Sequence, residues 1–204
     1  MVAPALAEEI INAAVAVARA GGDGLSQALE ALPAPIYVTD AEGVVTHYNS
    51  DCVGFAGRRP AIGKDRWCVT WKLYAETGEF MPHETCPMAQ AILERRPIRG
   101  LSAVAERPDG ARVTFTPFPT PLFDEAGELI GAVNMLIDVT EDRQIDELRS
   151  QALRCLRLST AVDSNTSEAL SLMAAEYQAK ADDLDRGRKQ NIRVAPARKK
   201  PPHG

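Results

Sequence analysis

Apolar and polar positions change rhythm three times along the chain. Residues 5–20, rich in Ala, Glu, Ile and Val, have a helical composition that stops at Gly21-Gly22. A second short helix is predicted over 24–32, where Leu25, Ala28, Leu29 and Leu32 share a face and Pro33 and Pro35 end it. From there the period shortens. "IYVTD" and "VVTHYN" are β-rich runs split by the turn signal "AEG". "SDCVGFAG" reads as a short helix or turn ending at Gly57, "DRWCVTWKLY" holds Trp67 and Trp71, and "AETGE" reads as another turn. Residues 87–95 predict a helix blocked at Pro97. "GLSAVAER" and "ARVTFTPFP" are strands joined by Pro108-Asp109-Gly110, and "LIGAVNMLIDV" is a strong last strand after the turn "DEAGE". Strands joined in series by hairpins imply an antiparallel sheet, and no helix long enough for a parallel crossover lies between the last three. The fold class is α+β.

After Thr140 the chain turns helical and highly charged. Ile145, Leu148, Ala152 and Cys155 follow a heptad spacing, too short alone for a coiled coil. "STAVDSNTSE" interrupts, and Asn165 with Glu168 forms a capping pair for the next helix. That helix carries Leu170, Met173, Tyr177, Ala181 and Leu184 on one side. Two amphipathic helices joined by a short break suggest a helical hairpin or two dimer-forming segments, the alternative being that each packs on the sheet. The run "GRKQNIRVAPARKKPPHG", residues 187–204, offers almost no apolar side chains to offset its ordering entropy and is expected to be disordered.

Composition adds two constraints. The chain has 204 residues, 45% hydrophobic and 25% charged, with only 5% aromatic, so one ordinary domain with extensions and a mostly aliphatic core is expected. The net charge of −5 conceals a basic tail, seven Lys/Arg with no acid from Arg186 onward, on an acidic body. The body repels nucleic acid, which only the tail would contact, and weakly; no aromatics interleave with its charges. The four cysteines form no C-x-x-C pair, and the N-terminal apolar run is too short to span a bilayer and has acidic flanking residues. A cytoplasmic protein with reduced thiols and no membrane span is expected.

Residues 33–142 resemble a PAS domain. The likeness is carried by "PIYVTDAEGVVTHYNSDC", the Gly57 turn, the hairpin "ERPDGARVTFTPFP", the strand "PLFDEAGELIGAVNMLIDVTED", and its exit Asp138-Val139-Thr140. "GKDRWCVTWKLY", "GEFMPHETCPMAQAI" and "GAVNML" are similar to the PAS sensor modules of bacterial histidine kinases, here without a kinase, cyclase or DNA-binding module in the residues that follow. "GGDG" at 21–24 is a turn between helices, and nothing matches the reactive-cysteine run of the flavin-binding subclass. The resemblance implies a five-stranded antiparallel sheet covered by short helices; the patterning outside it gives an N-terminal helical cap at 1–32, C-terminal amphipathic helices at 143–186 and the basic tail beyond. It also implies a cavity between helices and sheet, and an exit at Asp138 and Thr140 that couples the sheet to an output helix.

The stretch "MPHETCPMAQAILERR" concentrates candidate chemistry. A helix start explains most of it: Pro87 suits the first helical position, Thr85 or Cys86 the cap, and Met88, Ala91 and Ile92 the core face. Three further readings stay open. Cys86 at a helix N-terminus is a redox candidate. His83, with His47 behind it, is the haem candidate that the resemblance admits. As a metal site, His83 and Cys86 fall short of the ligand count zinc needs. Alternation places Ala132, Asn134 and Leu136 on one face of the last strand, where an asparagine must find a hydrogen bond. Asn134 either holds a polar group of a small ligand or bonds to backbone or buried water. Tyr37, Phe55, Trp67, Trp71, Met88 and Leu136 are candidates to line the same cavity, or ordinary core.

No Gly-rich phosphate loop or nucleophile elbow is present, and three histidines leave few general bases. The expected function is therefore non-enzymatic: a homodimeric PAS signalling protein that senses a small ligand or redox state and passes it through the C-terminal helices to a partner such as a histidine kinase or regulator. The alternatives are a ligand-free adaptor in a two-component-type pathway and a haem- or metal-binding protein. No cofactor is expected, haem being the one admitted.

Overall fold

The computed structural model describes residues 4–194, and side chains over 5–187. The chain divides into two compact units, Met1–Val139 and Thr140–Gly204.

The first unit opens with helices α1 (Pro4–Ala20) and α2 (Leu25–Glu30), then strands β1 (Ile36–Asp40) and β2 (Val45–Tyr48). Helix α3 (Asp51–Ala56) follows and ends on Gly57 in the left-handed conformation. Next come β3 (Lys72–Tyr74), β4 (Phe80–Met81), a 3₁₀ turn at His83–Thr85, and α4 (Pro87–Glu94). Strands β5 (Ala103–Glu106), β6 (Arg112–Pro117), β7 (Thr120–Phe123) and β8 (Leu129–Asp138) complete the unit.

Every strand pairing is antiparallel, in the order β2-β1-β8-β6-β5-β3-β4. The five-stranded sheet expected from the sequence is β2-β1-β8-β6-β5; β3 and β4 extend it past β5. Strand β7 continues β6 along β8 in one register, from Pro117 opposite Leu136 to Thr120 opposite Val133. The break falls at Phe118-Pro119, because prolines 117 and 119 have no N–H to give. Two hairpin turns use one device. The carboxylate of Asp40 accepts the amides of Glu42 and Val44 at 3.1 and 2.8 Å, and that of Asp124 accepts those of Ala126 and Glu128 at 2.9 and 2.8 Å.

Two apolar layers flank the sheet. On the outer face Ala7, Ile11 and Ala14 of α1 and Leu25 and Leu29 of α2 cover Ile36, Val38, Val133 and Met135. On the inner face α3, α4 and the loops around Cys68 cover Tyr37, Phe115, Ala132 and Leu136. Arg99 fastens α1 down, reaching Glu8 at 2.8 Å and the Pro119 carbonyl at 3.0 Å. The N-terminal helices thus belong to the same core as the sheet.

In the second unit α5 (Thr140–Ser159) and α6 (Ser164–Val194) form a helical hairpin. Its seam holds Ala152, Cys155 and Ala174, with Leu170 and Tyr177 against them. Three sequence expectations change. Met173 is 44% exposed and Ala174 takes its place, which keeps the 4,3 spacing from Leu170 to Tyr177 and Ala181. The helix is capped by Asp163, whose carboxylate accepts the Thr166 amide at 3.1 Å, and not by Asn165, which already lies inside α6. Helix α6 runs to Val194, so residues 187–194, part of the stretch expected to be disordered, continue it. Residues 195–204 lie outside the described ones.

Candidate functional site

The inner face between sheet and helices is where the candidate residues converge. Tyr37, Phe55, Met88 and Leu136 are each at most 6% exposed and belong to one cluster, with Trp67 against its edge. Phe55 and Phe115 meet edge to face at 5.3 Å between centroids. Trp71 departs from the expectation: it is 53% exposed and lines no part of this cluster. The sequence spaces the two tryptophans four apart, but the chain between them forms no helix, so they share no face.

One polar thread crosses this apolar space. Tyr37 on β1 stands opposite Asn134 on β8. The Asn134 Nδ2 donates to Tyr37 Oη at 3.0 Å, and Tyr37 Oη donates to the Trp67 carbonyl at 2.8 Å. At the other end Asn134 Oδ1 accepts the Phe118 amide at 3.0 Å. That amide stands alone between two prolines, and it also reaches the Met135 carbonyl at 2.9 Å. Both ends of the Asn134 side chain therefore have partners within the protein, one a backbone amide and one the Tyr37 hydroxyl. Burial pushes the Tyr37 phenol well above the usual tyrosine range, so it stays a neutral donor.

Three thiols share the cluster, and two of them, Cys68 and Cys86, lie beside the thread. Cys52, Cys68 and Cys86 are all buried in the cluster. Cys86 is the residue before α4, with Pro87 first in the helix, as the sequence pattern required. The redox rationale for it does not hold. Burial drives the Cys86 thiol up to about 12, outweighing the amides of Met88 and Ala89, which pull it down. Cys52 is also raised by burial, and its sulfur donates to the Ile36 carbonyl at 3.2 Å. We expect a thiol-specific chromogenic disulfide at pH 8 to leave Cys52, Cys68 and Cys86 unmodified until the chain is unfolded. Rapid labelling of Cys86 in folded protein, located by mass spectrometry, would contradict this.

His83 lies apart from the cluster, half-buried in the 3₁₀ turn. Its Nε2 is sealed from solvent without a hydrogen-bond partner. Burial lowers its pKa and Arg58 acts in the same direction, against the pull of Glu84 and Asp65, so the imidazole is neutral at pH 7. Beside it Trp71, Lys72, Phe80, Pro82 and Glu84 shape a surface groove of about 260 Å³. That is below the range of about 300–1,000 Å³ for drug-sized ligands, and a porphyrin is larger still. His83 therefore does not fit a haem ligand. Nor does His47, which sits on β2 opposite Val38 and so faces the outer layer. Among the described residues, no group of three His, Cys, Asp or Glu is placed to hold a metal ion.

The exit residues occupy a junction. Asp138 ends β8, opposite Phe115, and Thr140 begins α5 after a single intervening residue. The Val139 amide donates to the Thr114 carbonyl at 2.8 Å, which holds the strand to its last residue.

Sequence reasoning missed Asn49, fully buried where β2 ends. Its Oδ1 accepts the Ile36 amide at 3.0 Å, and its Nδ2 donates to the carbonyls of Ala34 and Leu29 at 2.7 and 3.2 Å. It joins α2, the Pro33–Pro35 link and β1. Its only sequence signal was an asparagine directly after a strand, which reads equally as a turn residue. Also missed was the Trp67 backbone, because a carbonyl acceptor has no side-chain signature.

A protein-family model described as PAS fold matches residues 29–144. No curated protein matches. Among solved structures, the PAS domain of the fruit-fly ELK potassium channel is 13% identical, covering 52% of this chain and 87% of that one, with a TM-score of 0.43. A PAS domain from Colwellia psychrerythraea is 17% identical over 56% of this chain and 92% of that one, with a TM-score of 0.38. An RNA-binding light-oxygen-voltage receptor is 21% identical over 62% of this chain and 36% of that one, with a TM-score of 0.45. The family match spans more than half of the 204 residues, over the same strands and covering helices that enclose the Tyr37–Asn134 thread, and the chain belongs to the PAS fold family.

Proposed function

We propose that this PAS protein senses a small ligand at its inner face and passes the signal through β8 into α5 and a partner protein. PAS domains are sensory signalling modules. The observation that carries the reading is the position of Asn134. It is a buried polar residue of the inner face, bonded to the Tyr37 hydroxyl, it sits on the exit strand, and only three residues lie between it and Asp138. Any ligand that competes for Tyr37 or Asn134 acts directly on the strand that leads into the output helix. The partner supplies whatever catalysis the pathway needs, and the protein works as a homodimer through α5 and α6, where Leu153, Leu156 and Leu172 are 48–64% exposed. Redox sensing at Cys86 is no part of this reading, given its buried and protonated thiol.

Two measurements test it. Thermal shift of the full chain against a panel of organic acids and amides should find compounds that stabilise the natural protein but not Asn134→Ala. Native mass spectrometry should give a dimer mass that is lost on truncation after Asp142. A dimer that survives truncation removes the helices from assembly. A second reading, a ligand-free adaptor, is favoured by one observation: both ends of the Asn134 side chain are already bonded within the protein. A panel without a single stabilising compound selects it.

A further inference from the structure

Trp67 is one of two non-glycine residues with positive φ among those described, at 67°. The Cys68 amide donates to the Arg66 carbonyl at 2.8 Å, two residues back. Together these define a γ-turn with positive φ at its centre, a rare and strained form that a bulky aromatic residue ordinarily avoids. Such strain persists only where surrounding contacts over-determine it.

The contacts here are identifiable. The Trp67 amide donates to the Gly43 carbonyl at 2.7 Å. Its indole rests on Gly43 so closely that a Cβ there would come within 2.1 Å of the ring. The Arg66 guanidinium lies over the indole at 4.8 Å and also donates to the Glu42 carbonyl at 2.7 Å. From the core side the Trp67 carbonyl accepts Tyr37 Oη at 2.8 Å and has the Cys86 sulfur at 3.9 Å. The strained turn is thus held at its ring by the surface and at its carbonyl by the same Tyr37 that bonds Asn134 on the exit strand.

We propose that the Arg66–Cys68 γ-turn is a latch on the inner-face core. Tyr37 holds it shut. A small molecule that offers a carbonyl or carboxylate oxygen to Tyr37 Oη displaces the Trp67 carbonyl, and the turn relaxes toward an ordinary negative φ. The indole then leaves Gly43, which uncovers Cys68 and Cys86. Strain released at the turn favours the opened state, so the latch sets the threshold for ligand admission. Its purpose rests on the sensory reading above, whereas its mechanics do not.

The test uses the full chain carrying Trp71→Phe, in which Trp67 is the sole indole. Adding Tyr37→Phe removes the hydroxyl that holds the latch. The expected result is about fivefold faster exchange of the Cys68 amide, the equilibrium equivalent of one ordinary hydrogen bond, with stronger acrylamide quenching of Trp67. The Val45 amide, bonded to the Asp65 carbonyl in the same region, should keep its protection. Unchanged Cys68 exchange in a folded Tyr37→Phe protein overturns the latch. If that variant does not fold, Arg66→Ala at the surface decides in its place, with the same faster exchange expected and an unchanged rate fatal. Failure of the sensory reading shows elsewhere, as a compound panel that stabilises nothing, and leaves these exchange rates as they are.

Discussion

Replacing Asn49 by leucine should destabilise the sheet unit by about 2–4 kcal/mol, a large effect for one surface-distant residue. Leucine matches the volume but bonds to nothing. The Leu29 carbonyl keeps another partner, the Leu32 amide at 3.1 Å. The Ile36 amide and the Ala34 carbonyl lose the partner that Asn49 provides for each. Asn49→Asp separates the two halves of the interaction. A carboxylate still accepts the Ile36 amide, but it turns a second oxygen on the Ala34 and Leu29 carbonyls. That arrangement favours the protonated acid, so the folded-state pKa of the new side chain rises above its unfolded value. The sign follows: the deficit of Asn49→Asp relative to the natural protein should shrink as pH falls from 7 toward 4 and grow as pH rises. Urea unfolding followed by tryptophan fluorescence reads this cleanly, because Trp67 and Trp71 both lie in the sheet unit. An Asn49→Leu midpoint within error of the natural protein would show that the N-terminal helices are not tied to the sheet through this residue.

The second large effect is expected at Gly131. A Cβ at this position would lie 2.1 Å from the Thr39 carbonyl oxygen and 3.1 Å from its carbon. Both atoms are backbone of β1, so no side chain can swing aside, and the β1–β8 pairing itself must part. Gly131→Ala should therefore cost about 3 kcal/mol or more and lower the melting temperature by about 10 °C. Gly54→Ala is the control. It sits in α3, where the added carbon meets nothing within 4 Å beyond its own helical turn, and helix propensity alone should stabilise by about 0.5–1 kcal/mol. Equal melting temperatures for the two variants would rule out the close approach of β1 to β8.

The fold was largely legible because its signals are local. The Asp-Ala-Glu-Gly and Asp-Glu-Ala-Gly turns, the alternation through Ala132, Asn134 and Leu136, and Pro87 at the head of α4 each need only neighbouring residues to be read. The site was legible only in its membership. Tyr37, Phe55, Met88, Asn134 and Leu136 come together as their strand and helix periods required. Trp71 did not, since it lies in a loop with no period to orient it. Cys86 shows the limit of another kind. A helix start and the thiol beside it are visible in sequence, but the depth of burial that reverses the shift is a property of the assembled core. Asn49 and the Trp67 carbonyl depend on pairings 13 and 30 residues apart, which no local pattern encodes.

The outer apolar face of the sheet has a practical corollary for dissecting the molecule. Because α1 and α2 seal Ile36, Val38, Val133 and Met135, the minimal autonomous folding unit starts at α1, upstream of the first strand by a full helical pair. A fragment cut at Pro33 would present a bare hydrophobic sheet to solvent and seek its own kind, so any self-association it showed would reflect the missing lid and say nothing of physiological assembly.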